Sequence, residues 1–286
     1  MCHPVMNAQR LSGGARAAWA GAAVLLLATP VAMAGESPNV LEDPWQLSLG
    51  GFVVDTDTNV RLDGDTGAGT DVNWEETFRS GDVPRFRIDG QWRFAERHKA
   101  RFMWFSSSRS NSETLQEDIE WNGETFPVNA KVDAEFNFDV YELAYEYAFL
   151  HRDTYELSGT IGLHYTELSM SLAAKASTSG GTLTGDIKEE GSVGAPLPVI
   201  GLRGLWQLPH DFWIDAQAQF FALSIDEYDG NLQDYKVMVT WQPKKWLGIG
   251  LGYNRFSVDV DVDADKFNGS LDWTYEGPML SYSAVF

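Results

Sequence analysis

The sequence predicts an all-β chain, folded as a transmembrane antiparallel up-and-down β-barrel of ten strands. Three observations predict it. Apolar and polar residues alternate with period two in one segment after another. Beyond residue 34, no apolar run reaches the roughly 20 residues that a spanning helix needs. The last segment places Leu280, Tyr282, Ala284 and Phe286 on one face, with Ser281 and Ser283 between them. Inside a bilayer only helices and closed barrels satisfy every backbone N–H and C=O, so a membrane chain without helical spans must close its sheet.

The N-terminus specifies export. Arg10 and Arg16 form a basic region, Ala17 to Leu27 is a short apolar run, and Ala32-Met33-Ala34 is a cleavage site. Residues 1–34 are expected to be a cleaved signal peptide and residues 35–286 the barrel domain. Cys2 falls in the removed segment, so the mature chain is expected to lack disulfides and thiolate metal sites. The net charge of −20 becomes −22 once Arg10 and Arg16 are lost, because residues 1–34 hold no acid. Such acidity argues against nucleic acid as a partner.

Val83 to Phe94 is the clearest strand. Phe86, Ile88, Gly90, Trp92 and Phe94 alternate with Arg85, Arg87, Asp89, Gln91 and Arg93, which is a lipid face set against an inward face. The same alternation places Glu142 and Glu146 inward between Tyr141 and Phe149, and His164 inward between Tyr155 and Tyr165. It also turns Asp215 inward between Ile214 and Phe220, and Lys236 between Tyr235 and Trp241. The ten strands are expected near 45–62, 83–94, 99–109, 135–149, 155–172, 195–207, 212–226, 232–242, 246–260 and 267–286. Breaks at Asp55–Thr58 and Glu276–Pro278 would raise the count to twelve, and discarding one hairpin would lower it to eight. A bulge at Gly277-Pro278 is the preferred reading, since proline is tolerated at bulges and strand edges. Pro196 and Pro198 likewise imply a bulge or a strand start, with a lateral opening of the wall as the alternative.

Short turns at Ala95–His98, His151–Thr154, Leu208–Asp211 and Pro243–Lys245 belong to one end of the barrel. Longer acidic connections near 63–82, 110–134, 173–193, 226–231 and 259–267 belong to the other. Trp45, Phe94, Phe149, Tyr155, Trp206, Phe212, Trp241, Trp246 and Phe286 sit beside the short turns and read as an interfacial girdle. A second girdle is expected from Phe52, Phe86, Trp104, Phe138, Tyr165, Phe220 and Trp273.

The final strand, with Leu280, Tyr282 and the terminal Phe286, resembles the C-terminal signal of Gram-negative outer-membrane β-barrels. The mature chain as a whole resembles the small outer-membrane barrels of Proteobacteria, the OmpA-like and OmpW-like group. The resemblance implies insertion by the barrel assembly machinery, a cell outer-membrane location, and contact with outer-membrane lipid and lipopolysaccharide, as a monomer. It assigns no activity. Omptin-type proteases also have ten strands, but no Asp–His pair with readable spacing sits at the long-loop rim here.

The inward positions Arg85, Arg87, Asp89, Arg93, Arg101, Glu142, Glu146, Arg203, Asp215 and Lys236 are expected to form a charge network. Buried charges must pair or be hydrated, and barrels of about eight strands are filled by side chains. A structural or surface-interaction barrel with a filled lumen is therefore the favoured function. A narrow pore or small-molecule transport barrel is the alternative, and an outer-membrane enzyme acting on lipid or peptide is a third. Asp259, Asp261, Asp263 and Asp265 are candidate divalent-cation ligands, although the run lacks the Gly and closing Glu of an EF-hand loop. No cofactor is expected beyond Ca²⁺ or Mg²⁺ at such acidic loops, of which Glu113, Glu117, Asp118, Glu120 and Glu124 form another.

Overall fold

A computed structural model describes residues 37–53, 55–63, 69–79, 84–175, 186–225, 228–264 and 267–286. The expected signal peptide and Asp265 lie outside the described residues.

Among the described residues, fourteen strands and one short helix follow one another along the chain. They are β1 (Trp45–Val53), β2 (Asp55–Leu62), β3 (Val72–Asn73), α1 (Trp74–Phe78), β4 (Pro84–Ala95), β5 (His98–Thr114), β6 (Ile119–Trp121) and β7 (Glu124–Phe126). β8 (Lys131–His151), β9 (Tyr155–Ala174), β10 (Ile187–Leu208), β11 (Phe212–Ile225), β12 (Tyr228–Lys244), β13 (Leu247–Ala264) and β14 (Phe267–Val285) complete them. The wall runs β1-β4-β5-β8-β9-β10-β11-β12-β13-β14 and returns from β14 to β1, every pair antiparallel. It is a closed ten-stranded barrel. Trp45 N donates to Phe286 O at 2.8 Å and Phe286 N to Trp45 O at 2.9 Å, so the ring shuts at the last residue.

The first strand is interrupted, yet the count stays at ten. Phe52 pairs with Met279 on β1 and Asp55 with Glu276 on β2, so both halves share one register along β14. The expected bulge at Gly277-Pro278 is absent: Asn254–Gly277 and Tyr253–Pro278 continue the β13 ladder without a shift. Pro278 has no N–H to donate, so it opens the ladder locally and needs no extra residue.

Pro196 and Pro198 mark neither a bulge nor a strand start. They lie inside β10 and pair in constant register with Tyr165 and Leu163 of β9. Gln207 N donates to Thr154 O on the β9 side at 2.7 Å. With an unshifted register, odd residues of β10 therefore face β9 and even residues face β11. The two prolines thus lack donors on the β11 side, and the β10–β11 ladder ends at Ile200–Phe220 although both strands continue. Freed there, β10 reaches the mouth, where Asn122 Nδ2 donates to Glu189 Oε2 at 2.7 Å.

Several strands run past their expected ends on the long-loop side: β5 to Thr114, β8 from Lys131 and β10 from Ile187. Above the bilayer the outer face no longer needs apolar residues, so the ladder outlasts the lipid-type alternation.

The loop-end mouth is capped. Asn73 caps α1 by accepting from Glu76 N at 2.9 Å. Glu75 of α1 accepts from Thr58 N at 2.8 Å and meets the buried Arg109, whose guanidinium lies 4.6 Å over the Phe136 ring. The β6–β7 hairpin is tied to the segment after β2 by Asn122 N to Leu62 O (3.0 Å) and Thr70 N to Glu120 O (2.9 Å).

Candidate functional site

The interior has two halves. The short-turn half holds the predicted charges, which all point inward, as the alternation of their strands dictates. Arg87 forks onto Asp89 (2.9 and 2.8 Å), its neighbour two residues along β4, and reaches Asn254 Oδ1 at 3.2 Å. Arg203 of β10 forks onto Asp215 of β11 (2.8 and 3.0 Å), donates to Gln91 Oε1 at 2.5 Å and lies 3.3 Å from Glu146 Oε2. Lys236 Nζ stands between the two aspartates, 3.6 Å from Asp89 and 3.7 Å from Asp215. Arg101 meets Glu146 at 2.6 Å and Glu142 at 3.6 Å. Arg93 meets Glu156 at 2.9 Å. Arg85 Nη1 lies 3.5 Å from Ser108 O.

Four members were missing from the sequence reading. Lys99 Nζ meets Glu146 at 2.9 Å and also pairs with Glu156. Asp234 accepts from Asn254 Nδ2 at 2.6 Å and from Gln217 Nε2 at 3.3 Å. Each lies two residues from an inward side chain already recognised, or on that residue's face: Lys99 before Arg101, Glu156 facing with His164, Asp234 before Lys236 and Asn254 facing with Gly252. Parity alone could have found them.

The loop-end half is apolar. Phe105, Phe136, Phe138, Phe256, Trp273 and Tyr275 pack there with Met103, Val140, Leu168 and Val258, beneath Trp74, Phe78, Trp121 and Phe126 of the cap. This corrects the expected outer girdle. Phe138 and Trp273 are wholly buried inside the barrel, their ring centroids 3.8 Å apart. Phe86, Tyr165 and Phe220 do face outward, while the side chain of Phe52 lies outside the described residues. Phe138 and Trp273 share parity with Glu142 and Met279, so their position follows from strand continuity.

His164 sits where the halves meet. It is fully buried, its ring stacks on Phe256 with centroids 6.4 Å apart, and Nε2 lies 3.6 Å from Glu142 Oε2. The other described histidines, His98, His151 and His210, lie at or beside the short turns. Among the described residues no histidine stands at the loop-end rim, where an omptin-type site would need one.

Asp259 and Asp261 face away from the interior, and Val258 and Val260 occupy the inner face beside them. Asp259 stands directly opposite Asp272 of β14, and Asp261 opposite Asp229 of β12. These carboxylates lie beyond Tyr253, outside the membrane-spanning part of β13. Partial burial, then Asp261, Asp272 and Asp229, push the Asp259 carboxyl above its ordinary value. Asp263 belongs to β13, but its side chain lies outside the described residues. Among the described residues no three His, Cys, Asp or Glu side chains are grouped to hold a metal ion.

On the final strand Leu280, Tyr282 and Phe286 are exposed outward, and Ser281 and Ser283 are buried inward. Trp45, Phe94, Phe149, Phe212, Trp241 and Trp246 ring the short-turn end on the outer wall.

A closed ten-stranded antiparallel wall with an apolar outer face and aromatic rims defines an outer-membrane β-barrel. The chain is similar in fold to the outer membrane protease OmpT from Escherichia coli, with 11% identity over 85% of this chain and 97% of that one and a TM-score of 0.54. Lower-scoring likenesses are the toluene transporter TodX of P. putida (12% identity, 85% and 90% covered, TM-score 0.35) and the attachment invasion locus protein Ail of Yersinia pestis (11%, 83% and 99%, 0.35). At these identities the likeness is one of fold alone. No protein-family model matches the chain, and no curated protein matches it.

Proposed function

We propose that this protein is a structural, surface-facing barrel of the Gram-negative outer membrane whose lumen does not conduct. One observation carries the reading: the interior is occupied in series, ion pairs such as Arg101–Glu146 (2.6 Å) below and the tilted Phe138–Trp273 ring pair (3.8 Å) above. Charges packed at such distances bind the wall together, and the rings above them leave no hydrated path through the barrel. The short turns and both rim strands then face the periplasm, and the capped end faces outward. There the outward carboxylates Asp229, Asp259, Asp261 and Asp272 meet lipopolysaccharide phosphates through shared Ca²⁺ or Mg²⁺. Single-channel recording of the refolded, heat-modifiable barrel in a planar bilayer tests the reading. Silence is expected, and discrete ion-selective openings altered by Arg87→Ala would overturn it in favour of a narrow pore.

A second reading, uptake of small apolar molecules through the wall, has one observation in its favour. The β10–β11 ladder ends at Ile200–Phe220, beside the apolar inward residues Leu197 and Val199. Unpaired backbone groups are costly at membrane depth, and prolines at 196 and 198 remove two of them. Faster uptake of an apolar dye into proteoliposomes, abolished by a disulfide between cysteines placed at 198 and 222, would support it.

A further inference from the structure

The short-turn half holds a cavity of about 60 Å³, lined by polar and apolar side chains alike, with room for about four water molecules. Lys236 stands in it at 3.6 and 3.7 Å from Asp89 and Asp215, too far for direct hydrogen bonds and suited to bridging water. Two buried groups on its lining, the Gln91 Nε2 donor and the Gln46 Oε1 acceptor, have no protein partner. A site that orphans a donor and an acceptor together fits water and hydrated solutes better than a bare ion. Its lining carries the Asp89 and Asp215 carboxylates together with the cations Arg101, Arg203 and Lys236. Asp89 and Asp215 side chains are 21% and 17% exposed, against 5% for Arg203 and 6% for Lys236.

The floor of this cavity belongs to the segment that precedes the wall. Val40 lines the cavity, and with Leu41 it packs on Leu205, Trp213 and Val285. A tight turn shapes the segment: Asn39 O accepts from Glu42 N (3.1 Å) and Asp43 N (2.7 Å), and Asp43 Oδ2 accepts from Asn39 N at 2.8 Å. One ion pair ties it across the barrel mouth, Lys245 Nζ to Asp43 Oδ1 at 2.8 Å, from the β12–β13 turn. Among the described residues the Val40 and Leu41 side chains and the Lys245–Asp43 latch hold this seal, whereas the aromatic plug above draws on strands around the wall.

We propose that residues 39–43 are a releasable stopper and that the cavity above them is a hydrated vestibule, opened from the periplasm, that admits small hydrated solutes. The vestibule stays a dead end, because the aromatic half blocks it above. Its behaviour is thus separable from conductance, and a silent barrel can still open it.

The test is modification of a single cysteine, Ser281→Cys in a Cys2→Ser background, by methanethiosulfonate ethylammonium and ethylsulfonate, on barrel whose heat-modifiable migration shows that it is folded. Ser281 lines the cavity. In the otherwise intact chain labelling is expected to be slow. Lys245→Met, which removes the latch, is expected to raise the rate about tenfold, the effect of losing one partly buried ion pair. Deletion of residues 37–43 should do at least as much. In both, the two reagents should gain rate together, since the lining carries charges of both signs. Should Lys245→Met not fold, Asp43→Asn removes the same latch. Equal rates in intact and released barrels would overturn the stopper.

Discussion

Phe138 and Trp273, from strands β8 and β14 on separate parts of the wall, meet inside the barrel with ring centroids 3.8 Å apart and planes inclined at 41°. Tyr275 and Phe256 extend the cluster, their centroids 5.2 Å apart. The loop-end half is thereby a hydrophobic core in the sense of a soluble protein, enclosed by a wall whose other side meets lipid.

Trp273→Ala should therefore destabilise the barrel by about 3–5 kcal/mol, the cost of an aromatic truncation that the surroundings cannot refill. Urea unfolding in detergent, followed by the heat-modifiable band, measures it. A loss below about 1 kcal/mol would place Trp273 at a lipid-facing position after all.

Glu146 touches Lys99, Arg101 and Arg203. Glu146→Ala leaves three buried cations facing one another and should cost about 3–5 kcal/mol. Arg255→Ala removes an exposed pair with Glu276 at 3.1 Å and should cost less than about 1 kcal/mol. The ratio of the two losses, read by the same unfolding assay, checks that inward charges hold the wall and outward ones do not.

Pro198→Ala restores an N–H on the side of β10 that faces β11. If the missing donors keep the seam open, the ladder extends and the new amide exchanges slowly in hydrogen-exchange mass spectrometry. Rapid exchange would show instead that the bend of β10 over the mouth sets the seam.

Asp259 faces Asp272 across β13 and β14, and like charges directly opposite are destabilising. A raised carboxyl group in the folded state binds protons more readily than in the unfolded chain, so its share of stability is lost as pH rises through its range. Millimolar Mg²⁺ at neutral pH should raise the unfolding midpoint, and Asp259→Asn with Asp272→Asn should raise it without Mg²⁺ and remove the response. An unchanged Mg²⁺ response in the double variant would refute cation sharing at this rim.

Trp45 and Phe286 exchange the two hydrogen bonds that close the ring. Deleting Phe286 should sharply reduce insertion in cells while refolding into detergent in vitro persists, separating recognition of the final strand from closure of the sheet. Equal loss in both assays would assign Phe286 to closure alone.

Period-two alternation determined the strands and their faces. Each backbone step turns a side chain to the opposite side of the sheet, so the inward positions of Arg87, Glu146, Asp215 and His164 could be counted off from any lipid-facing aromatic. Lipid-type alternation on strand after strand implied that the sheet closes, because a bilayer leaves an open sheet edge unsatisfied. Alternation carries no information on which inward residues meet, because Arg203 reaches Gln91 across the barrel and Arg87 reaches Asn254 from β4 to β13. Nor does it mark where lipid ends. Above that level both faces are free to change character, which is why Phe138 and Trp273 resembled girdle residues in sequence and are interior ones in the fold. The split at Pro198 needed the register of both neighbours, since a missing N–H matters only on the side toward which it would have pointed. The stopper at Val40 needed the closed ring, which alone gives those few residues a mouth to fill.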